Sequence, residues 1–178
     1  MHDVNAVETV VAGRVPGERA PSFASVAENH LDDVYRYLLV FTRDAALAED
    51  LTGETFERAL RAWRRFDPRR ASPRTWLCAL ARNVALDWFR AEQRRQRRER
   101  AAAEPATFVP APELGLSPDL ERALAKLSAA DREVLALRVV LELDPESAGR
   151  LMGVTPSACT TRLNRALQRL EERLNDDD

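Results

Sequence analysis

Four dipeptides constrain this chain more than any other feature: Ser72-Pro73, Ser117-Pro118, Asp144-Pro145 and Thr155-Pro156. In each, a short oxygen-bearing side chain stands directly before a proline. Such a side chain accepts a hydrogen bond from the otherwise unpartnered N–H groups of a first helical turn. Proline suits the next position because its missing N–H would have no partner there and its fixed φ is already helical. Each dipeptide therefore marks a helix start. Between them apolar residues recur at three- and four-residue spacing. Glycine is scarce, at 6 of 178 residues, and no convincing alternating strand pattern occurs. The chain reads as all-α.

Ser22 is expected to cap a first helix from Phe23, with Phe23, Val26, His30, Val34, Leu38 and Phe41 as its apolar stripe. On that stripe His30 reads as a partly buried, hydrogen-bonded residue, not a ligand. Asp44 caps a second helix to about Phe66, with Leu47, Leu51, Phe56, Leu60 and Trp63 inward. Glu54–Arg58 and Glu57–Arg61 lie on its outer side at i,i+4 spacing, each pair worth a few tenths of a kcal/mol. A third helix runs from Pro73 to about Arg98, with Trp76, Leu80, Val84 and Trp88 on one stripe and Asn83, Asp87, Arg90 and Arg94 on another. Residues 101–117 hold Pro105, Pro110 and Pro112 and no basic residue, which reads as a linker. Two small helical domains, 22–100 and 118–174, are thus expected on either side of a Pro-rich linker, with a mobile tail at 1–21 and an acidic tail at 175–178. The second domain should contain helices near 118–127, 130–142, 145–152 and 156–174.

The net charge of −2 excludes a uniformly basic nucleic-acid coat, yet residues 34–100 carry 16 arginines against 9 acids. Lys126 is the sole lysine. Arginine's planar fork suits phosphates and base edges. Apolar runs are too short to cross a bilayer, and the N-terminus lacks the pattern of a signal peptide, so a cytoplasmic protein with no membrane insertion is expected. Cys78 and Cys159 form no CxxC pair and read as buried small apolar residues. With His2 and His30 the only histidines, no metal site and no cofactor are expected. Motifs of the GxGxxG, GxxxxGK[ST] and GxSxG types are missing, and no catalytic cluster stands out. Glu49, Asp50, Glu54 and Glu57 suit protein docking better than acid/base work. The chain does not read as an enzyme.

A short helix, a break at Gly153 and a longer helix make a plausible helix-turn-helix. Cys159, Leu163, Ala166, Leu170 and Leu174 would be buried; Ser157, Thr160, Thr161, Asn164, Arg165 and Gln168 would face out. Small polar residues followed by arginine suit a major groove, although spacing alone also allows an ordinary helical hairpin. The third helix mixes arginines with Trp76, Trp88 and Phe89, which suits single-stranded nucleic acid if those rings are not simply core.

Four segments then match one family in order: A-E-D-L-T-G-E-T-F (48–56), R-T-W-L-C-A-L-A-R-N-V-A-L-D-W-F-R (74–90), L-S-A-A-D-R-E-V-L-A-L-R (127–138) and G-V-T-P-S-A-C-T-T-R-L-N-R-A-L (153–167). Over about residues 22–174 the chain resembles a bacterial RNA polymerase sigma factor of the extracytoplasmic-function group. The resemblance implies a dissociable, monomeric subunit for promoter recognition and transcription initiation. It implies docking on the clamp helices of core RNA polymerase through Asp50, Leu51, Glu54 and Phe56. It implies melting and reading of the minus-ten element by Arg69, Arg70, Ser72, Arg82, Asn83, Asp87 and Arg90, with the loop Asp67–Ser72 helping to hold a flipped base. It places Ser157, Thr160, Thr161, Arg162, Asn164 and Arg165 at the minus-thirty-five element, with the second domain on the polymerase flap. Promoter DNA would be met both double- and single-stranded, and an anti-sigma factor is an expected partner. Gly53 departs from the family's Gln, Ser147–Gly149 from its Glu-Ile-Ala, and Ala158-Cys159 from its Thr-Val. These departures predict a softer second domain and promoter choice that leans on the first. A free-standing helix-turn-helix regulator and a degenerate sigma-like protein that titrates a partner are the other readings.

Overall fold

The computed structural model describes residues 22–102 and 116–175. The expected tail at 1–21, most of the expected linker and the last three residues lie outside the described residues. The described chain is helical: α1 (Phe23–Thr42), α2 (Ala45–Ala62), α3 (Pro73–Ala102), α4 (Pro118–Lys126), α5 (Ala129–Leu135), α6 (Pro145–Met152) and α7 (Pro156–Asn175). Each helix starts at a side-chain cap that accepts the N–H three residues on. Ser22 takes Ser25 at 3.1 Å, Asp44 takes Leu47 at 2.9 Å, and Ser72 takes Thr75 at 3.1 Å. Ser117 takes Leu120 at 3.3 Å, Ser128 takes Asp131 at 3.1 Å, Asp144 takes Ser147 at 2.9 Å, and Thr155 takes Ala158 at 3.2 Å. Caps of this kind contribute about 1 kcal/mol each. Helix α3 continues to Ala102, two residues into the segment expected to be linker.

Helices α1, α2 and α3 each pack on the other two. Val26, Val34, Leu38 and Phe41 of α1 are buried as the stripe predicts. The other two helices differ from their predicted faces. Helix α2 buries Ala48, Leu51, Thr52, Thr55 and Ala59, while Leu60 is 59% exposed. The two threonine hydroxyls donate to Ala48 O at 2.6 Å and Leu51 O at 2.7 Å, so their burial leaves no unpaired hydroxyl. Helix α3 buries Leu77, Cys78, Ala81, Val84 and Ala85; Trp88 is 36% exposed. The cause is size. Small side chains let helix axes approach, and the large rings are pushed to the rim of the contact.

Helices α4 to α7 form the second unit, with α7 packed on α4, α5 and α6. The predicted uninterrupted helix 130–142 instead widens into a π-helical stretch at Ala136–Val140. Leu141 N–H closes it on Ala136 O, and Leu143 N–H bonds Leu137 O, both at 3.0 Å. Glu142, at φ 51°, turns the chain toward α6, and Arg138 donates to Leu143 O across that turn.

The two units pack directly, α1 against α5 and the π-helical stretch, and α3 against α6. Buried residues of both units form one continuous apolar core. At this seam Arg82 of α3 is paired with Glu133 of α5, whose side chain is 8% exposed. Arg132 Nε donates to Phe41 O at 3.3 Å, capping the carboxyl end of α1 from the other domain. Burial, and then the charge of Arg43, push the Arg132 guanidinium below its ordinary pKa. Tyr37 Oη is buried at the seam without a partner, and burial and the charge of Glu133 hold its phenol protonated. Both cysteines are buried as expected.

Glycine placement differs between the domains. A Cβ on Gly149 would sit 2.8 Å from Val154 O, and Val154 N–H bonds Gly149 O at 2.9 Å. The glycine expected to soften α6 is therefore what lets the helix-turn-helix turn close. A Cβ on Gly53 would meet nothing within 4 Å. Two alanine substitutions should thus have opposite signs in chemical denaturation. Gly53→Ala should stabilise by about 1 kcal/mol from helix propensity, and Gly149→Ala should destabilise by about 1–2 kcal/mol from overpacking against backbone.

Candidate nucleic-acid interface

Three stretches of surface gather the residues singled out above. The first is the loop between α2 and α3. Trp63, Arg64 and Arg65 form a 3₁₀ turn after α2, and Phe66 leaves it extended. Trp63 stacks on Phe66 with centroids 5.0 Å apart, and Trp76 lies 5.0 Å from Phe66 and 5.9 Å from Trp63. Phe23 packs edge-on against Trp63 at 5.6 Å. This four-ring cluster supports the loop. Its assembly was not legible in the sequence, because Phe23 lies far from the others; the Trp63–Phe66 spacing was the available signal. Above it Asp67 accepts the Arg69 N–H at 2.9 Å, and Arg70 N–H bonds Asp67 O at 3.0 Å, which fixes a turn with Arg69 and Arg70 exposed. Ser72 is engaged as the α3 cap, its hydroxyl also 3.0 Å from Thr75 Oγ1. Among the described residues Arg64, Arg65 and Arg69 have no carboxylate within 4.0 Å, leaving their charge available to an anion.

The second stretch is the exposed face of α3. Asn83, Asp87 and Arg90 are exposed and share one stripe. Asp87 accepts from Arg58 of α2 at 3.2 Å and from Arg90 at 3.3 Å, so it holds two guanidiniums in place. The Asp87 hydrogen bond is the main reason the Arg58 pKa is raised. Arg82 is not on this face; it lies at the seam with Glu133. Sequence spacing could not reveal that, since its partner is 51 residues away.

The third is the first half of α7. Ser157, Thr160, Thr161, Asn164 and Arg165 are exposed, and Arg162 is half-buried. Thr155, Ser157, Thr161, Arg162 and Arg165 line a cleft together with Asp131 and Arg169. Arg169 Nη1 lies 2.9 Å from both Asp131 oxygens, and Asp131 also accepts from Ser128 Oγ at 2.8 Å. The pair ties α7 to α5 and fixes how the helix presents its N-terminal end.

Of the residues expected to dock on polymerase, Asp50 is exposed, Phe56 is half-buried, and Glu54 is half-buried and bonded to Arg58 at 2.6 Å. Leu51 is 2% exposed and serves the core of the first domain, leaving no side-chain surface for a partner. No group of His, Cys, Asp and Glu suited to a metal ion occurs among the described residues, and none of the described helices is long and apolar enough to cross a membrane.

A family model described as Sigma-70 region 2 matches residues 26–95, and one described as Sigma-70, region 4 matches residues 117–170. The chain is 30% identical over 158 residues to ECF RNA polymerase sigma factor SigM of Bacillus subtilis, covering 84% of this chain and 93% of that protein. It is 32% identical over 160 residues to RNA polymerase sigma factor CarQ of Myxococcus xanthus, covering 87% and 90%. Against ECF RNA polymerase sigma factor BldN of Streptomyces coelicolor it is 30% identical over 175 residues and 92% of its length, and spans 64% of that relative's length. Among solved structures, sigma factor RpoE of Bartonella quintana, determined in complex with the anti-sigma factor NepR, aligns with a TM-score of 0.72 at 23% identity, covering 88% of this chain and 98% of that one. This last likeness is one of fold.

The approach to the loop also depends on an ion pair. Arg74, at the start of α3, donates to Asp33 of α1 at 2.8 and 3.1 Å, and His30 Nδ1 lies 3.2 Å from the same carboxylate. Partial burial pushes the Asp33 pKa up, but the Arg74 and His30 interactions outweigh it and hold the carboxyl below its ordinary value. A depressed carboxyl pKa stabilises the fold above the ordinary carboxylate range and ceases to do so as pH falls through the folded value. Asp33→Asn should therefore lower the melting temperature at pH 7, and its difference from the parent chain should close as pH falls below that range.

Proposed function

The chain belongs to the ECF RNA polymerase sigma factors, and from that premise we propose that it is the dissociable subunit that gives core RNA polymerase its promoter, with the work divided between its two domains. The carrying observation is that one chain presents two separate arginine-bearing polar surfaces. One is the α3 stripe beside an aromatic-backed loop, and the other is the exposed N-terminal half of α7. The first suits an unpaired strand: arginines neutralise phosphate, and a flat aromatic-backed surface receives an unstacked base. The second suits base edges in a major groove. Asn83 and Arg90 act directly on the minus-ten strand, with Asp87 positioning Arg58 and Arg90. Arg69 and Arg70 hold the backbone at the flipped base. Ser157, Thr160, Thr161, Asn164 and Arg165 meet the minus-thirty-five duplex. Asp50, Glu54 and Phe56 dock on the clamp helices of core polymerase, and the second domain docks on the flap. An anti-sigma factor that covers these faces is part of the same proposal; the RpoE neighbour was determined with one.

Promoter binding requires the domains to part. Elements about 25 base pairs apart lie about 85 Å apart along B-form DNA, whereas a compact chain of 178 residues has a radius of gyration of about 16 Å. In the closed form Arg82 is held by Glu133. On opening it becomes free for a phosphate next to Asn83, which is the role the family resemblance gives it.

Two experiments test this. In transcription reconstituted with core polymerase, Asn83→Ala should reduce promoter-specific starts about tenfold or more, on the scale of one lost base contact. Arg165→Ala should cost less, as the remaining departures from the family at Ser147 and Ala158-Cys159 predict. Loss of starts as complete for Arg165→Ala as for Asn83→Ala would end that division. In small-angle scattering of the free chain, Glu133→Gln should raise the radius of gyration by weakening the seam. An unchanged radius would mean that the Arg82–Glu133 pair does not hold the domains closed.

A further inference from the structure

Arg43 stands directly after α1 with φ 60° and ψ 34°, and its N–H closes the helix on Leu39 O at 2.8 Å. This left-handed backbone favours glycine, and an arginine there carries strain that glycine would not. The side chain is half-buried, and its Nε is buried without a hydrogen-bond partner. Leaving a buried donor unpaired is unfavourable. Glycine at this position would relieve both.

A second arginine reaches the same place from the other domain. Arg132 of α5 donates through Nε to Phe41 O at 3.3 Å and through Nη1 to Leu127 O at 2.6 Å. Phe41 lies two residues before Arg43, so both guanidiniums gather at the carboxyl end of α1. They are close enough that Arg43, after burial itself, lowers the Arg132 pKa. Among the described residues neither has a carboxylate within 4.0 Å. The acids beside them in the chain are engaged elsewhere: Asp131 accepts from Arg169 and Ser128, and Asp44 from the Leu47 N–H. The end of α1 offers partial negative charge alone. Its carbonyls at Leu38, Leu39 and Phe41 already accept from Thr42 Oγ1, Arg43 N–H and Arg132 Nε. Two half-buried cations, one from each domain, thus stand side by side without a carboxylate to balance them.

We propose that Arg43 and Arg132 form a site for a small phosphate-bearing ligand, which bridges the two domains and holds the chain closed. A guanidinium binds phosphate through parallel N–H···O bonds. Arg132 uses two of its N–H groups on carbonyls, and the rest of its fork remains for a ligand. A phosphate presents oxygens on all sides and up to two charges, which matches two forks arriving from different helices. A carboxylate has two oxygens in one plane and a single charge, and would leave one of the cations unbalanced. The bound ligand relieves the like-charge repulsion at the seam and gives the Arg43 side chain the acceptor it lacks. Neither arginine is among the residues proposed above to meet promoter or polymerase. The site therefore acts on the opening of the seam and not on either contact.

The test follows the melting temperature of the purified full chain as inorganic phosphate replaces chloride at constant ionic strength. The temperature should rise and saturate, by about 3–5 °C at a tenfold excess over the dissociation constant. A nucleoside diphosphate should do the same. Arg43→Gln leaves both Arg132 bonds in place, so it should fold. In chloride it should melt level with or above the parent chain, because a like charge has gone, and phosphate should no longer raise it. Arg132→Lys keeps the charge without the fork and should lose most of the rise. A full rise retained by either variant means that one arginine alone holds the ion, and the bridge is overturned. No rise in the parent chain beyond the chloride control overturns the site itself. So does a response to duplex DNA without one to either small phosphate, because the arginines would then serve a nucleic acid.

Discussion

A first helical turn leaves N–H groups that the helix itself cannot satisfy, and the way this chain satisfies them determines the rest of its fold. Seven side chains, at Ser22, Asp44, Ser72, Ser117, Ser128, Asp144 and Thr155, each take one of those groups. In four cases the next residue is a proline, which starts the helix and cannot extend one from behind. Helix starts are thereby fixed residue by residue. Short loops between fixed starts leave few ways for three helices, or four, to lie together. The surfaces proposed to meet promoter and polymerase inherit their positions from this: the loop before α3 is held by the Ser72 cap, and the exposed N-terminal end of α7 begins at the Thr155 cap.

Charge carries the second level of organisation. Several arginines inside each domain find carboxylates on their own or a packed helix, which fixes their forks in place. Where that pairing crosses between domains, at Arg82 and Glu133, it does something different. It takes a residue from the helix proposed to read the promoter and places it in a half-buried contact. The seam is not uniformly favourable, since Arg132 and Arg43 bring like charges together there and Tyr37 Oη lies buried without a partner. Such internal tension leaves the closed state open to displacement by the partners proposed above.

What could be read in the sequence follows the range of the forces involved. Caps and prolines act over three residues, so helix starts, the α1 stripe and the exposed stripe Asn83–Asp87–Arg90 were legible. The inward faces of α2 and α3 were not, because hydrophobic periodicity favours large residues, whereas close packing there chose Ala48, Thr52, Thr55, Ala81 and Ala85. Leu51 looked like a docking residue by its place in a family motif and is a core residue by its geometry. The π-helical stretch at 136–140, which packs on α1, has no local signature. Gly149 looked like a weakness in a helix, but its meaning depended on a carbonyl five residues on that only the folded turn brings near.

The burial of the thiols bears on how signals can reach the protein. Cysteines react with oxidants and electrophiles as thiolates. Cys78 lies in the core between α1 and α3 at 0% exposure, where burial pushes its pKa up to about 12. Cys159 is also at 0% exposure, and its pKa is raised by burial as well. In the folded chain at neutral pH neither sulfur is available for oxidation chemistry, and parting of the two domains does not strip Cys78 of its own domain's core. Direct oxidation of either thiol therefore requires that its own domain open first.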